Sequence, residues 1–526
     1  MATEAVGAPA TVAAPDVNPW IIAISVMLST FMEVLDTTVV NVSLPHIAGN
    51  LSASTDEATW VLTSYLVANA IILPITGWLA NYFGRKRLLM AAVAGFTTAS
   101  FMCGLAPNLA TLIFFRVVQG ATGGTLQPIS QAVLLEAFPP EDRGKAMGFW
   151  GLGIVVAPML GPVLGGWLTD SYSWRWVFYI NIPVGVASIL MTKMFIFDPP
   201  YIRRPKTGID YWGIGMLAVG IGALQIVLDK GEEKDWFSTA WITELVVLSA
   251  SVLIVFIIYE LRARSPVVNL RVLKERTYGT GVLLMTILGF GLYGSLVVLP
   301  LLLQELLGYP ALKAGVTMFP RGLGSFIAMP VIGILVAKFD PRKLLALGFL
   351  GAGFTLIQLS WLNLNAGFWD FFWPQFLQGL SLGLLFVPLT TVTMDPIPKE
   401  QMGNATSLFN LMRNVGGSVG IAMATTLNTR STQRFTNVFG ANVTPGSLQA
   451  HNVFQALQLA FISRGFDPVT AAHKAQGALF GLVQQQAAVL AYLNTFRLLG
   501  LIFLLVIPLL LLLRKPAHQG RGLPAH

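Results

Sequence analysis

The chain has 526 residues, 54% of them hydrophobic and only 11% charged, with a mean hydropathy of +0.68. Soluble domains carry about 25% charged residues, so a soluble enzyme is excluded and a polytopic, all-α membrane protein is indicated. The net charge of +8 falls in short segments between apolar runs rather than along a basic stripe, so no nucleic-acid partner is expected.

Residues 1–18 contain no Lys or Arg, so they lack the basic start of a signal peptide and the first apolar run is kept as a helix. That run, Pro19 to Leu44, is long enough to span a bilayer. It contains two carboxylates, Glu33 and Asp36, which share a helix face extended by Thr37 and Asn41. Asp36 would lie roughly 25 Å along such a helix. A carboxylate at that depth costs on the order of 2.5–3.5 kcal/mol and has to face a partner or a cavity. An intramembrane acid marks a proton or cation path; the structural alternative is an ion pair between helices.

Fourteen spans are expected, at about 19–42, 58–80, 88–106, 109–132, 145–167, 175–197, 211–229, 238–260, 278–303, 313–337, 343–362, 370–394, 405–427 and 487–513. Basic residues follow every second span: Arg85, Lys86 and Arg87; Arg143 and Lys145; Arg203, Arg204 and Lys206; Arg262 to Arg276; Lys338 to Lys343; Lys399; Arg514 and Lys515. By the positive-inside rule both termini are cytoplasmic.

An internal repeat is visible. Pro45 and Pro300 close similar segments 255 residues apart, Gly77 and Gly333 open similar loops 256 apart, and Gln119 and Gln378 sit in similar helices 259 apart. The chain therefore divides into a tail (1–18), a six-helix bundle (19–200), two inserted helices with linkers (201–277), a second six-helix bundle (278–515) and a tail (516–526). Two such halves place a substrate site between them at the midplane. Asp36 corresponds to about Gly291 and Arg116 to Gln375, so ion chemistry is expected in the first half.

Arg116, in R-V-V-Q-G-A-T-G-G, needs an acceptor inside the bundle, and Asp36 is the first candidate, Glu33 the second. Gly120 and Gly124 form a small packing face. In A-P-M-L-G-P-V-L-G-G-W, the residues Pro158, Gly161, Pro162 and Gly165 allow a bend and close helix approach. Asn41, Gln127, Tyr293, Gln304, Phe386 and Asn410 are candidates to border a mostly apolar substrate cavity. Structural pairing is expected for Arg321 and Arg413.

These motifs carry a resemblance. The loop G-W-L-A-N-Y-F-G-R-K-R, with Gly77, Asn81, Gly84 and Arg85, is similar to the signature cytoplasmic gate loop of the major facilitator superfamily, with Asn81 where that family usually has an acid. The Pro158–Gly165 motif resembles that of its proton-antiporting exporters. W-R-W-V-F-Y-I-N-I-P-V-G at Trp174 and L-D-K-G-E-E-K-D-W-F at Leu228 look like the fourteen-span drug:proton antiporters, EmrB-type exporters in particular, over roughly 18–515. The resemblance implies the major facilitator fold and inner-membrane export of hydrophobic drugs or weak acids against protons. It implies Asp36 and Arg116 as coupling residues, and does not extend to Glu33. It also implies no cofactor beyond the proton gradient, and partners comprising a periplasmic adaptor and an outer-membrane channel. No phosphate-binding loop and no metal-ligand spacing among the 5 His are present, which disfavours ATP-driven export and a membrane enzyme; a specific-metabolite exporter stays open.

The long segment 428–486 falls outside the membrane on this reading. Leu448, Phe454, Leu457 and Phe461 have helical spacing, and Asp467–Pro468 reads as an N-cap followed by a helix running into the last span, so a projecting helical hairpin is expected.

Overall fold

A computed structural model describes residues 17–198, 210–263, 265–444 and 446–514. The tails and the central linker lie largely outside these residues, as do Arg203, Arg204, Lys206 and Lys515, on which part of the orientation argument rests. No strand occurs among the described residues.

The first half comprises α1 (Pro19–Asn50), α2 (Thr55–Phe83), α3 (Arg85–Leu105), α4 (Leu109–Gly123), α5 (Leu126–Ala137), α6 (Arg143–Ser171), α7 (Trp176–Tyr179) and α8 (Asn181–Phe195). The inserted pair is α9 (Tyr211–Lys230) and α10 (Ala240–Arg262). The second half comprises α11 (Arg276–Leu301), α12 (Ala311–Leu335), α13 (Pro341–Leu359), α14 (Phe368–Met394), α15 (Met402–Asn442), α16 (Leu448–Ser463) and α17 (Pro468–Leu505). Thirteen described helices are long and apolar enough to cross a membrane, with α4–α5 and α7–α8 each counted as one. The remaining long helix of the bundle is α15, whose 41 residues carry a more polar sequence.

Helix ends are set by local chemistry. Asn18 caps α1 with Pro19 in its first turn, and Ser54 with Glu57 forms a reciprocal capping box on α2. Gly84 joins α2 to α3 at φ +87°, a conformation that favours glycine, and the Asp198 carboxylate accepts from the Lys86 amide beside it at 2.8 Å. The expected fourth span is divided at Gly124–Thr125 into α4 and α5, and Gly124 lies against the Asn69 carbonyl of α2.

The halves meet along two seams, α15 against α2 and α5, and α6 against α12 and α14. The repeat is visible in these seams. A Cβ on Gly77 would come within 2.6 Å of the Asn404 backbone on α15, and a Cβ on Gly333 within 2.8 Å of the Gly144 carbonyl on α6. Repeat-related glycines thus provide the close approach at related seams. The inserted pair packs against α2 and also touches α15. The end of α9 and the loop after it tie both: Thr63 donates to Asp229, Lys234 pairs with Asp56 at 3.3 Å, and the Trp236 indole donates to Thr426 at 2.9 Å.

Beyond the bundle, α15 continues to Asn442 rather than ending near residue 427. α16 and α17 then form a helical hairpin, with Asp467 capping α17 and Pro468 in its first turn. None of the α16 residues is buried.

Candidate functional site: a buried charge network in the first half

Asp36 is completely buried on α1. Its Oδ2 accepts from Arg116 Nη1 at 2.6 Å, and its Oδ1 accepts from Gln119 Nε2 at 2.9 Å and Asn181 Nδ2 at 2.7 Å. Arg116 also donates to the Val61 carbonyl of α2 at 3.0 Å and to Gln119 Oε1 at 2.8 Å, and its guanidinium lies 4.1 Å from the Tyr65 ring centroid. One ion pair therefore ties α1, α2, α4 and α8. A buried pair tolerates desolvation only when its remaining donors and acceptors are satisfied, as here.

Glu33 lies one turn away and does not share Arg116. Its Oε1 accepts from Asn69 Nδ2 at 3.0 Å and its Oε2 from Gln127 Nε2 at 2.6 Å. Gln127 in turn accepts from Arg413 of α15.

Glycines supply the room for this network. Gly120 lies against the Tyr65 carbonyl, bringing α4 onto α2. On α6, Gly161 faces Thr38 and Gly165 faces Val39, so α1 packs tightly on the Pro158–Pro162 segment. At the basic end, Arg85 is buried and pairs with Glu136 of α5. Asn81 is half-buried and makes no side-chain hydrogen bond among the described residues.

The cavity candidates separate into two groups. Phe386 stacks on Trp150 across the α14–α6 contact at 5.9 Å, and Asn410 Nδ2 donates to Gln131 Oε1 at 2.5 Å across the seam. Tyr293 packs beside Gly417 within the second half. Asn41 and Gln304 are exposed and do not join the buried groups. Arg321 and Arg413 are buried, yet no carboxylate forms a salt bridge with either among the described residues; Arg321 donates to Ser295 at 3.4 Å. Gln119, Asn181 and Asn69 join the network without having been singled out as site residues. Asn181 was legible as the one amide in the apolar stretch F-Y-I-N-I-P.

The sequence matches the Major Facilitator Superfamily model over residues 26–421. The chain belongs to this superfamily. It is 38% identical to the fatty acid resistance protein FarB of Neisseria gonorrhoeae, covering 95% of this chain and 97% of that one. It is 36% identical to the multidrug export protein EmrB of Escherichia coli K12 (95% and 96% covered). It is 42% identical to EmrB of Haemophilus influenzae (77% and 79%). It is thus an EmrB-type member, a transporter rather than an enzyme. The crystal structure of the human organic anion transporter MFSD10 (TETRAN) superposes with a TM-score of 0.61 at 13% identity, covering 94% of this chain and all of that one, which supports the fold.

Proposed function

We propose that this protein exports hydrophobic compounds, including weak acids, in exchange for protons entering from the opposite side. Asp36 is the proton-carrying group and Arg116 its counter-charge. The observation that carries this reading is the completely buried Asp36–Arg116 pair at 2.6 Å, held inside a transporter fold by side chains of the first half alone. An ionised Asp36 holds the guanidinium; a protonated Asp36 does not, so proton binding and release bias which arrangement of the helices is favoured. The relatives named for multidrug export and fatty acid resistance support hydrophobic and amphipathic substrates.

The basic end of the bundle, with Arg85 and Arg143, faces the cytoplasm on this reading, and the α16–α17 hairpin projects on the other side of an inner membrane. There it docks a periplasmic adaptor that leads to an outer-membrane channel. The proton gradient is the energy source and no cofactor is required.

The test is substrate-induced proton release from the purified protein in proteoliposomes. Asp36→Asn should abolish it while substrate binding and folding persist. Full antiport by Asp36→Asn would remove Asp36 from the mechanism.

A further inference from the structure

The two carboxylates of α1 are connected to different parts of the molecule. The side-chain partners of Asp36 lie on α4 and α8, within the first half. Glu33 is linked through Gln127 to Arg413 in the second half. Gln127 presents its amide N–H to the carboxylate and its carbonyl oxygen to the guanidinium, so each end of the amide dipole meets the charge that suits it. Arg413 is only 2% exposed, and its Nε and Nη1 have no hydrogen-bond partner among the described residues. Two neighbouring bonds cross the same α5–α15 contact: Asn410 to Gln131, and the Thr406 hydroxyl to the Pro128 carbonyl at 3.0 Å.

The charged and titratable groups around Glu33 are few. They are Asp36 on its own helix, Tyr65 on α2, Arg116 on α4 and Arg413 on α15. The charged residues of α5, α6 and α8 that pack on α1, namely Glu136, Arg143, Lys145, Asp170 and Lys193, sit towards helix ends. Arg116 is already paired with Asp36. Arg413 is therefore the cation left to balance Glu33, and it lies across the seam.

We propose that Glu33 is a second protonatable group of the exporter and that its charge is read by Arg413 through Gln127. This inference rests on the proton-coupled reading above. Ionised Glu33 draws α15 onto α5 and keeps the halves together at this level. When Glu33 takes a proton, the hydrogen bond to Gln127 loses its charge assistance and Arg413 is left as a buried cation without a counter-charge, so the seam parts. The only bond made or broken is the carboxyl O–H, with the proton taken from the outer aqueous phase and given up to the inner one. Asp36 and Glu33 then divide the work: one couples proton to substrate inside the first half, and the other sets whether the halves are joined.

The test uses the full-length protein in lipid nanodiscs with spin labels on cysteines introduced by Glu141→Cys and Glu400→Cys, both exposed near the basic end; Cys103 is buried. The distance distribution is measured from pH 8.5 to 5.5. In the otherwise unchanged protein, the population with parted ends should rise about tenfold on acidification. Glu33→Gln and Arg413→Gln should each show the low-pH distribution at every pH, while Glu33→Asp should keep a pH response. Asp36→Asn should keep the pH response of the distance and lose substrate-induced proton release. An unchanged pH response in Glu33→Gln or in Arg413→Gln would overturn the inference. So would loss of the response in Asp36→Asn with its retention in Glu33→Gln. If Asp36→Asn keeps full proton release while Glu33→Gln loses the pH response, the reading of Asp36 fails and the seam role of Glu33 stands.

Discussion

Where α1 carries Asp36, α11 carries Gly291, and where α4 carries Arg116, α14 carries Gln375. In the first half Arg116 donates to Gln119 three residues on, and both donate to Asp36. In the second, Gln375 donates to Gln378 with the same spacing, at 3.3 Å, and the space beside Gly291 is taken by the Phe503 ring of α17. The sixth helix of each half closes the gap in its own way: α8 offers the Asn181 amide to a carboxylate, and α17 offers a ring. Close backbone packing is by contrast shared. α6 meets α1 through Gly161 and Gly165, and α15 meets α11 through Gly416 against the Thr286 carbonyl and Gly420 against the Phe290 carbonyl. The comparison separates two kinds of constraint. Helix approach depends on small residues and is common to both halves, whereas a buried carboxylate–guanidinium pair with its donors and acceptors satisfied is found at this position only in the first half.

The strongest way to break this comparison is to remove the charge from the first half. Asp36→Asn should lower proton-coupled transport at least about 100-fold. It should also cost about 3–5 kcal/mol by stranding Arg116, read as a fall in melting temperature in detergent. Adding Arg116→Gln, which reproduces the glutamine pair of α14, should recover most of the stability and none of the transport. Recovery of transport would show that the pair is structural.

Gly161→Leu and Gly420→Leu probe what the halves share. Each side chain would meet an adjoining helix, Thr38 or the Phe290 backbone, so each should reduce vesicle transport about tenfold or more. Wild-type rates from well-expressed Gly161→Leu would leave the α6 motif without a mechanical role.

Placing an acid in the second half is a milder test. Gly291→Asp would point a carboxylate at Phe503 with no guanidinium beside it, and should cost about 2.5–3.5 kcal/mol. A neutral effect on thermal stability would show that the second half can supply partners that are not apparent in its packing.

The smallest effect is expected outside the bundle. Hydrogen bonds from Thr470 and from the Val469 amide hold the Asp467 carboxyl below its usual range. A depressed folded-state pKa means that its contribution is complete above the ordinary carboxylate value near about 3.9 and fades only as pH falls through the lower folded value. Asp467→Ala should raise hydrogen exchange at residues 469–471 without changing transport, and acidification to pH 5 should not reproduce it.

Much of this arrangement was legible in the chain. Apolar runs gave the spans, equal offsets gave the halves, and Asp36 and Arg116 could be paired because each is costly alone in a membrane. The amides were harder: Gln119 is unremarkable in composition, Asn181 stands out only as a lone amide in an apolar stretch, and packing is what shows that both complete the Asp36 shell. The link from Gln127 to Arg413 spans 286 residues and crosses the seam, so no local pattern announces it. The continuation of α15 was hidden because hydropathy falls in N-T-R-S-T-Q-R although the helix goes on.

That uninterrupted α15 has a mechanical consequence. A helix of 41 residues is about 60 Å long, and α17 runs beside it as a second strut of 38 residues. Neither is broken by a loop between the bundle and the hairpin, so the pair acts as a lever whose short arm is the seam and whose long arm is the tip. A rotation of the second half by about 10° would sweep a point roughly 30 Å away through about 5 Å. Whatever rests on α16 would register each turnover as a stroke, without any signal passing through the membrane other than the tilt of two rods.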